Sequence, residues 1–327
     1  MIWASWRQQR LQLITLLGLV VVSAGVILLL RSSMVGDIAA AGLAPCVAKA
    51  VGDCTPPDGA VAAFAEAWGT PFDAGRVLVV LAPALVGVFI GAPLFARELE
   101  QGTHVLAFTQ SVSRTRWMLS KLLIALVPAM AALVAVQWLV SWWFSAAGTL
   151  GPQVNGSYNA INFSIDHVSP AGYALFAFAV SAFLGAVTRR TLVAMTAGLG
   201  VFVVARFALS GRVHQVLTAQ RQEVTPDKQL TVYDDGSLVI SKGWLDAARQ
   251  TIPNDKVMAF YQTCKDASGE SQDAFAQCLS SSGVTARFAT FLPRSQAWQV
   301  HLVDLAVFGV LAVVLLVGTA WALRRQS

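Results

Sequence analysis

The sequence predicts an all-α membrane protein with six transmembrane helices, both termini cytoplasmic, and a small extracytoplasmic cap between helices five and six. Three observations carry this. Of 327 residues, 56% are hydrophobic and 13% charged, which leaves too little polar surface for a soluble globule of that size. Several windows reach the roughly 18–20 apolar residues that cross a bilayer. Lys and Arg gather at alternate ends of those windows. The net charge of +5 would otherwise suggest nucleic acid, but topology accounts for the basic residues and no nucleic-acid partner is expected.

Residues 1–10 place Trp3 and Trp6 on one helical side with Arg7 and Arg10 close by, which suits a short helix at the headgroup level; a frayed terminus fits equally well. Leu11–Leu30 carries no charge and is longer than the apolar core of a secretion signal, so it reads as a retained span. The remaining spans are Arg76–Ala96, Lys121–Phe144, Ala171–Val187, Leu192–Leu209 and His301–Leu323. Arg7 and Arg10 at the start, Arg97, Arg114, Arg116 and Lys121 in the second connector, Arg189 and Arg190 in the fourth, and Arg324 and Arg325 at the end fall on one side. The connector at residues 145–170 has no Lys or Arg, and in the first connector Arg31, Lys49 and Arg76 are outnumbered by Asp37, Asp53, Asp58, Glu66 and Asp73. The positive-inside rule therefore puts both termini and the second connector in the cytoplasm. Trp117 and Trp321 at inner ends, and Trp142, Trp143 and Trp298 at outer ends, give the same map, because indole rings prefer the interface.

The chain divides accordingly. Residues 1–209 hold the interfacial helix, spans one to five and a cytoplasmic connector at 97–120; residues 210–300 form the extracytoplasmic cap; residues 301–327 form the sixth span and a cytoplasmic tail. A connector as long as 210–300 should carry structure of its own. Leu230–Ile240 has two β-prone arms about Asp235-Gly236, a hairpin pattern. Val257, Phe260, Tyr261 and Cys264, then Phe275, Cys278 and Leu279, fall at helical spacing. Val284–Trp298 is apolar but broken by Arg287, Pro293 and Arg294, and is expected to dip into the outer leaflet without crossing it.

All four cysteines lie outside on this map. An oxidising compartment favours disulfides with three possible connectivities; the local pairs Cys46 with Cys54 and Cys264 with Cys278 are preferred because each closes a short loop. No metal site is expected, since no CxxC occurs and His104, His167, His214 and His301 lack paired ligand spacing. Arg206 late in the fifth span and Asp304 early in the sixth lie at similar depth. They are expected either to pair between helices or to reach outward to headgroups. The second span carries Pro83, Gly87, Gly91 and Pro93, and the fourth carries Gly172, Ala174, Ser181 and Gly185, small-residue faces that permit close packing.

The chain contains no phosphate-binding Gly-x-x-x-x-Gly-Lys-Ser/Thr, no H-E-x-x-H and no G-x-S-x-G, and no acidic or histidine cluster within a span. No catalytic residue and no cofactor is expected in this chain, and energy for active work has to arrive through a partner. Its docking surface would be the charged connector, which runs from Arg97, Glu98 and Glu100 through Gly102-Thr103 and an apolar run to Ser113-Arg114-Thr115-Arg116. A rigid lever between two spans and a plain solvated loop are equally compatible with that composition.

Glu98-Leu99-Glu100-Gln101-Gly102-Thr103, followed by Phe108-Thr109-Gln110-Ser111-Val112-Ser113-Arg114-Thr115-Arg116-Trp117 and Lys121, resembles the first cytoplasmic connector of type-2 ABC exporter permeases, and most closely their actinobacterial branch. Ser111 stands where many members of the wider family carry proline. Phe291-Leu292-Pro293 to Trp298 is similar to that branch as well, more loosely. The resemblance implies a type V exporter-like subunit of the bacterial plasma membrane, paired with a second and identical permease. It also implies two copies of a separate ATP-binding subunit, which holds ATP and Mg. In such permeases this connector couples to the ATPase, which would assign that role to Glu98, Glu100, Gly102, Thr103, Thr109, Gln110, Ser111, Ser113, Arg114 and Arg116.

Three functions remain to be weighed. An exporter of hydrophobic or amphipathic small molecules, such as a drug, antibiotic or lipid-like compound, fits an apolar cavity between two permeases. A sensing complex, whose cap detects a ligand without bulk transport, fits the long outer connector. An intramembrane enzyme lacks any nucleophile-base or metal constellation.

Overall fold

The computed structural model describes residues 2–48, 54–102, 114–152, 158, 160–210, 219–225, 237–268 and 271–325. All six apolar runs form helices long enough to cross a membrane: Arg10–Ala40, Ala60–Glu100, Arg116–Ser145, Ser169–Thr188, Thr191–Leu209 and Arg294–Arg324. The described residues divide into two compact units, one drawn from residues 1–154, 160–213 and 301–327, the other from 155–159 and 214–300.

In the first unit the helices overrun the expected spans. Helix α1 (Ile2–Ala40) is continuous from the start, so residues 2–10 extend the first span and do not form a separate interfacial helix. No glycine or proline interrupts residues 2–17, and nothing in that stretch breaks the i to i−4 ladder. Helix α2 (Ala60–Val86) begins 16 residues ahead of Arg76, because the alanine-rich run at 60–67 is a strong helix former. It passes into a π-helical turn at Gly87–Gly91 and then α3 (Ala92–Glu100). The others are α4 (Arg114–Ser145), the short α5 (Ala160–Ile165), α6 (Ser169–Thr188), α7 (Thr191–Ser210) and α10 (Ala297–Arg324).

The glycine face of the second span has a concrete use. A Cβ at Gly87 would stand 2.7 Å from the Ala177 carbonyl oxygen, one at Gly91 2.7 Å from that of Phe178, and one at Gly185 2.7 Å from that of Ala92. Backbone thus lies against backbone where the π turn and α3 cross α6, and any side chain would push them apart. Helix α6 is the most enclosed span, whereas α1 and α7 show apolar side chains outward, Leu29 at 70% and Phe207 at 77% exposed. Those faces belong to lipid or another chain.

At one end of this unit α1, α2 and α4 enclose an aromatic cluster of Phe64, Trp68, Phe72, Trp143 and Phe144. Trp68 donates its indole N–H to Asp37 Oδ2 at 3.0 Å. Cys46 and Cys54 are joined in a disulfide, and the loop is pinned to residues 147–150: Thr149 donates its hydroxyl to the Cys46 carbonyl at 2.6 Å and its N–H to that of Val47 at 3.1 Å.

The second unit holds a four-stranded antiparallel sheet in the order β1 (Gln220–Val224), β4 (Ala286–Leu292), β2 (Leu238–Leu245), β3 (Thr251–Ile252). Helices α8 (Asn254–Ser268) and α9 (Gln272–Ser281) realise the two helical spacings. They are joined by the Cys264–Cys278 disulfide around a small core with Trp244, Ile252, Phe260, Leu279 and Val284. Burial pushes the Tyr158 phenol up to about 12, so it remains a donor to the Pro293 carbonyl at 3.1 Å.

Two expectations change here. Residues 286–292, read from sequence as a segment dipping into the leaflet, form β4, bonded to β1 on one edge and β2 on the other. Phe288, Thr290 and Phe291 are strand formers, and their apolar character serves a sheet. Of the expected hairpin, the second arm lies in β2, paired with β4 and β3, while residues 230–236 lie outside the described residues.

Candidate functional site

Two groups of polar side chains inside the first unit require an explanation, because polar groups among apolar helices are costly unless bonded. The first lies at the base of the connector. Helix α3 ends by bringing Glu98 and Glu100 to the starts of two other helices. Glu98 forms an ion pair with Lys121 of α4, which is buried and whose ammonium lies 4.9 Å from the centre of the Trp117 ring. Trp117 packs on Phe95 of α3 at 5.9 Å. Glu100 accepts the backbone N–H of Thr191 at 3.2 Å and its hydroxyl at 2.9 Å. That places a carboxylate on the positive N-terminal end of α7, where unpaired backbone N–H groups point. The turn feeding α7 is tight: Arg189 caps α6 in the left-handed region at φ 55°.

Gly102 follows at φ +69°, with nothing within 4 Å of a Cβ position, so glycine is required by backbone conformation alone. Thr103, Thr109, Gln110, Ser111 and Ser113 lie outside the described residues. Arg114 opens α4, and Arg116 is exposed. The described part of the connector is thus its two feet, tied to each other and to α7.

The second group sits where α5, α6, α7 and α10 meet. Arg206 and Asp304 form no direct ion pair, which corrects that expectation. The Arg206 guanidinium lies 3.9 Å over the Tyr173 ring and donates to Ser164 Oγ at 2.7 Å, while the Tyr173 hydroxyl donates to Asp304 Oδ2. Tyrosine bridges the charges because its ring offers a face to the cation and its hydroxyl a donor to the carboxyl group. One turn before Asp304, His301 shares a hydrogen bond at 2.7 Å with Ser169 Oγ. Its ring is stacked between Phe163 at 4.1 Å and His167 at 4.6 Å. Gln137 of α4 donates to the carbonyls of Ile165 and His167, at 3.0 and 2.7 Å, and so holds the strained His167 turn at φ 54°.

The sequence pointed to Arg206 and Asp304 but not to Tyr173, Ser164, Ser169 or Thr191, whose partners lie 42 to 132 residues away in the chain. His301 and Asp304 stand three apart, and so on one helix face, a spacing that could have drawn His301 into the group. Among the described residues no cluster of three or more His, Cys, Asp or Glu side chains suits a metal.

The family model described as ABC-2 membrane transporter related matches residues 17–214. The chain belongs to that family. No curated protein and no solved structure matches it. The match takes in both feet of the connector and α6 and α7. An ABC-2 permease is a multi-pass protein of the bacterial plasma membrane and works with an ATP-binding subunit.

Proposed function

We propose that this permease is the membrane-spanning part of an ATP-driven exporter, built from two copies of the chain and two copies of a separate subunit that holds ATP and Mg2+. Both termini and residues 97–120 face the cytoplasm and residues 214–300 face outward. The positive-inside rule and the disulfides in the outer segments support this orientation. Closure of the ATP-binding subunits on nucleotide displaces the connector, and a cavity between the permeases shifts from inward to outward access. The substrate class is hydrophobic or amphipathic small molecules, in keeping with the apolar outer faces of the helices.

The observation that carries this reading is the pair of hydrogen bonds that Thr191 donates to Glu100. A push on the connector at Gly102 would reach α4 through the Glu98–Lys121 pair and α7 through Glu100, so three spans would answer one contact. A sensing role finds its support in the separately folded, disulfide-joined unit at 214–300.

The test is co-purification from the native membrane followed by ATPase and vesicle-flux measurements. A stoichiometric ATP-binding subunit with substrate-stimulated ATPase and flux supports export. ATPase turnover without flux moves the assignment to sensing, and no ATP-binding partner under mild detergent overturns both.

A further inference from the structure

Arg31 ends the uncharged stretch of α1 that Arg10 begins. The 21 residue steps from Arg10 to Arg31 rise about 32 Å along a helix, close to the roughly 30 Å of a bilayer's hydrocarbon core. With Arg10 at one headgroup layer, Arg31 therefore reaches the other.

There the guanidinium is held in place. It lies 4.1 Å over the ring of Trp142 and donates through Nη1 to the Trp142 carbonyl at 3.2 Å. Trp142 is in the last turn of α4, and its carbonyl also accepts the Ser145 hydroxyl at 2.9 Å, so Arg31 adds a positive charge at the negative end of that helix. This occupies one of five donors. Among the described residues no carboxylate pairs with Arg31, and Asp37 on the same helix accepts from Trp68 instead. Beside it Trp138 stacks on Trp142 at 6.3 Å and 13° and is 63% exposed.

A fixed cation with free, forked donors thus stands at headgroup depth beside an exposed indole. We propose that Arg31, Trp142 and Trp138 form a binding site for an anionic phospholipid, its phosphodiester on the guanidinium and its glycerol region against Trp138. The fork of arginine matches two phosphate oxygens, indole rings settle at that layer, and the lipid headgroup is the anion present at that depth. The site is independent of the transported substrate.

Native mass spectrometry of the full-length protein from nanodiscs of phosphatidylglycerol and phosphatidylcholine tests this. Wild type should retain phosphatidylglycerol preferentially, and Arg31→Gln should lower that retention about tenfold, the ratio carried by one charge-assisted hydrogen bond. Arg31→Lys keeps the charge at the end of α4 but loses the fork and should retain an intermediate amount. Trp138→Leu changes only an exposed side chain and should also weaken retention, which keeps the test open if Arg31→Gln fails to fold. Equal retention of the two lipids by wild type, or wild-type retention in a folded Arg31→Gln or in Trp138→Leu, would overturn the proposal. So would displacement of the lipid by millimolar inorganic phosphate, which would mark a site for free anions.

Discussion

Replacing Tyr173 with phenylalanine separates a bridged charge pair from a direct one. The substitution removes one hydroxyl from a site where Tyr173 is 2% and Asp304 1% exposed, and leaves the ring under Arg206. A buried hydrogen bond to a polar or charged group is worth about 1–3 kcal/mol. Asp304 Oδ2 loses the donor that this hydroxyl supplies, so the loss should fall within that range. The sharper consequence lies in coupling. If tyrosine carries the interaction, a double-mutant cycle of Arg206→Gln and Asp304→Asn should give a coupling below about 1 kcal/mol that vanishes when Tyr173 is phenylalanine. A direct buried pair would instead lose about 3–5 kcal/mol on removal of one partner and keep its coupling without the hydroxyl. The assay is unfolding of purified protein in mixed micelles, followed by tryptophan fluorescence. A neutral Tyr173→Phe, or a coupling that survives it, would refute the bridge.

Other outcomes follow from the same contacts. Gly91→Leu should destabilise the permease by at least about 1–3 kcal/mol, the cost of overpacking, because even its Cβ would stand 2.7 Å from the Phe178 carbonyl oxygen; thermal unfolding in detergent measures this, and an unchanged midpoint would contradict the α6 contact. Glu100→Ala should leave membrane insertion intact while flux per ATP hydrolysed falls, since α7 loses its tie to the connector; unchanged coupled flux would remove Glu100 from the transmission path. Gly102→Pro, which cannot adopt φ +69°, should have the same signature. Cys264→Ser with Cys278→Ser opens a loop of sequence separation 14 and should lower the stability of residues 214–300 by about 3 kcal/mol on the chain-entropy account, read as faster proteolysis of that unit.

Which features the sequence disclosed depends on how far apart their causes lie along the chain. Spans were legible because hydrophobicity over some twenty consecutive residues is a local property, and the error was confined to ends such as Ala60–Ala67, where helix propensity continued a helix past its apolar run. The close approach of the second and fourth spans was foreshadowed by Gly87, Gly91 and Gly185, since small residues are needed whatever the partner. The fate of residues 286–292 was not, because it rests on pairing with Gln220–Val224 and Leu238–Leu245, tens of residues upstream, and an apolar strand and a membrane-dipping segment share one composition. The same limit governed the buried charges. Sequence placed Arg206 and Asp304 at one depth, and depth alone suggested that they meet. What decides their arrangement is Tyr173, an aromatic residue in a third helix whose ring and hydroxyl satisfy both groups while keeping them apart. Direct pairing would hold α7 to α10 alone. Bridging through Tyr173 adds α6, and the Arg206 bond to Ser164 adds α5, so any motion that parts α7 from α10 must break contacts on α6 as well. Helix α6 is also the one on which Gly87, Gly91 and Gly185 make their close approaches, and α7 is the one whose first turn Glu100 holds. The pair α6 and α7 therefore receives both the tie from the connector and the buried network, and substitutions at either end should alter the same conformational equilibrium.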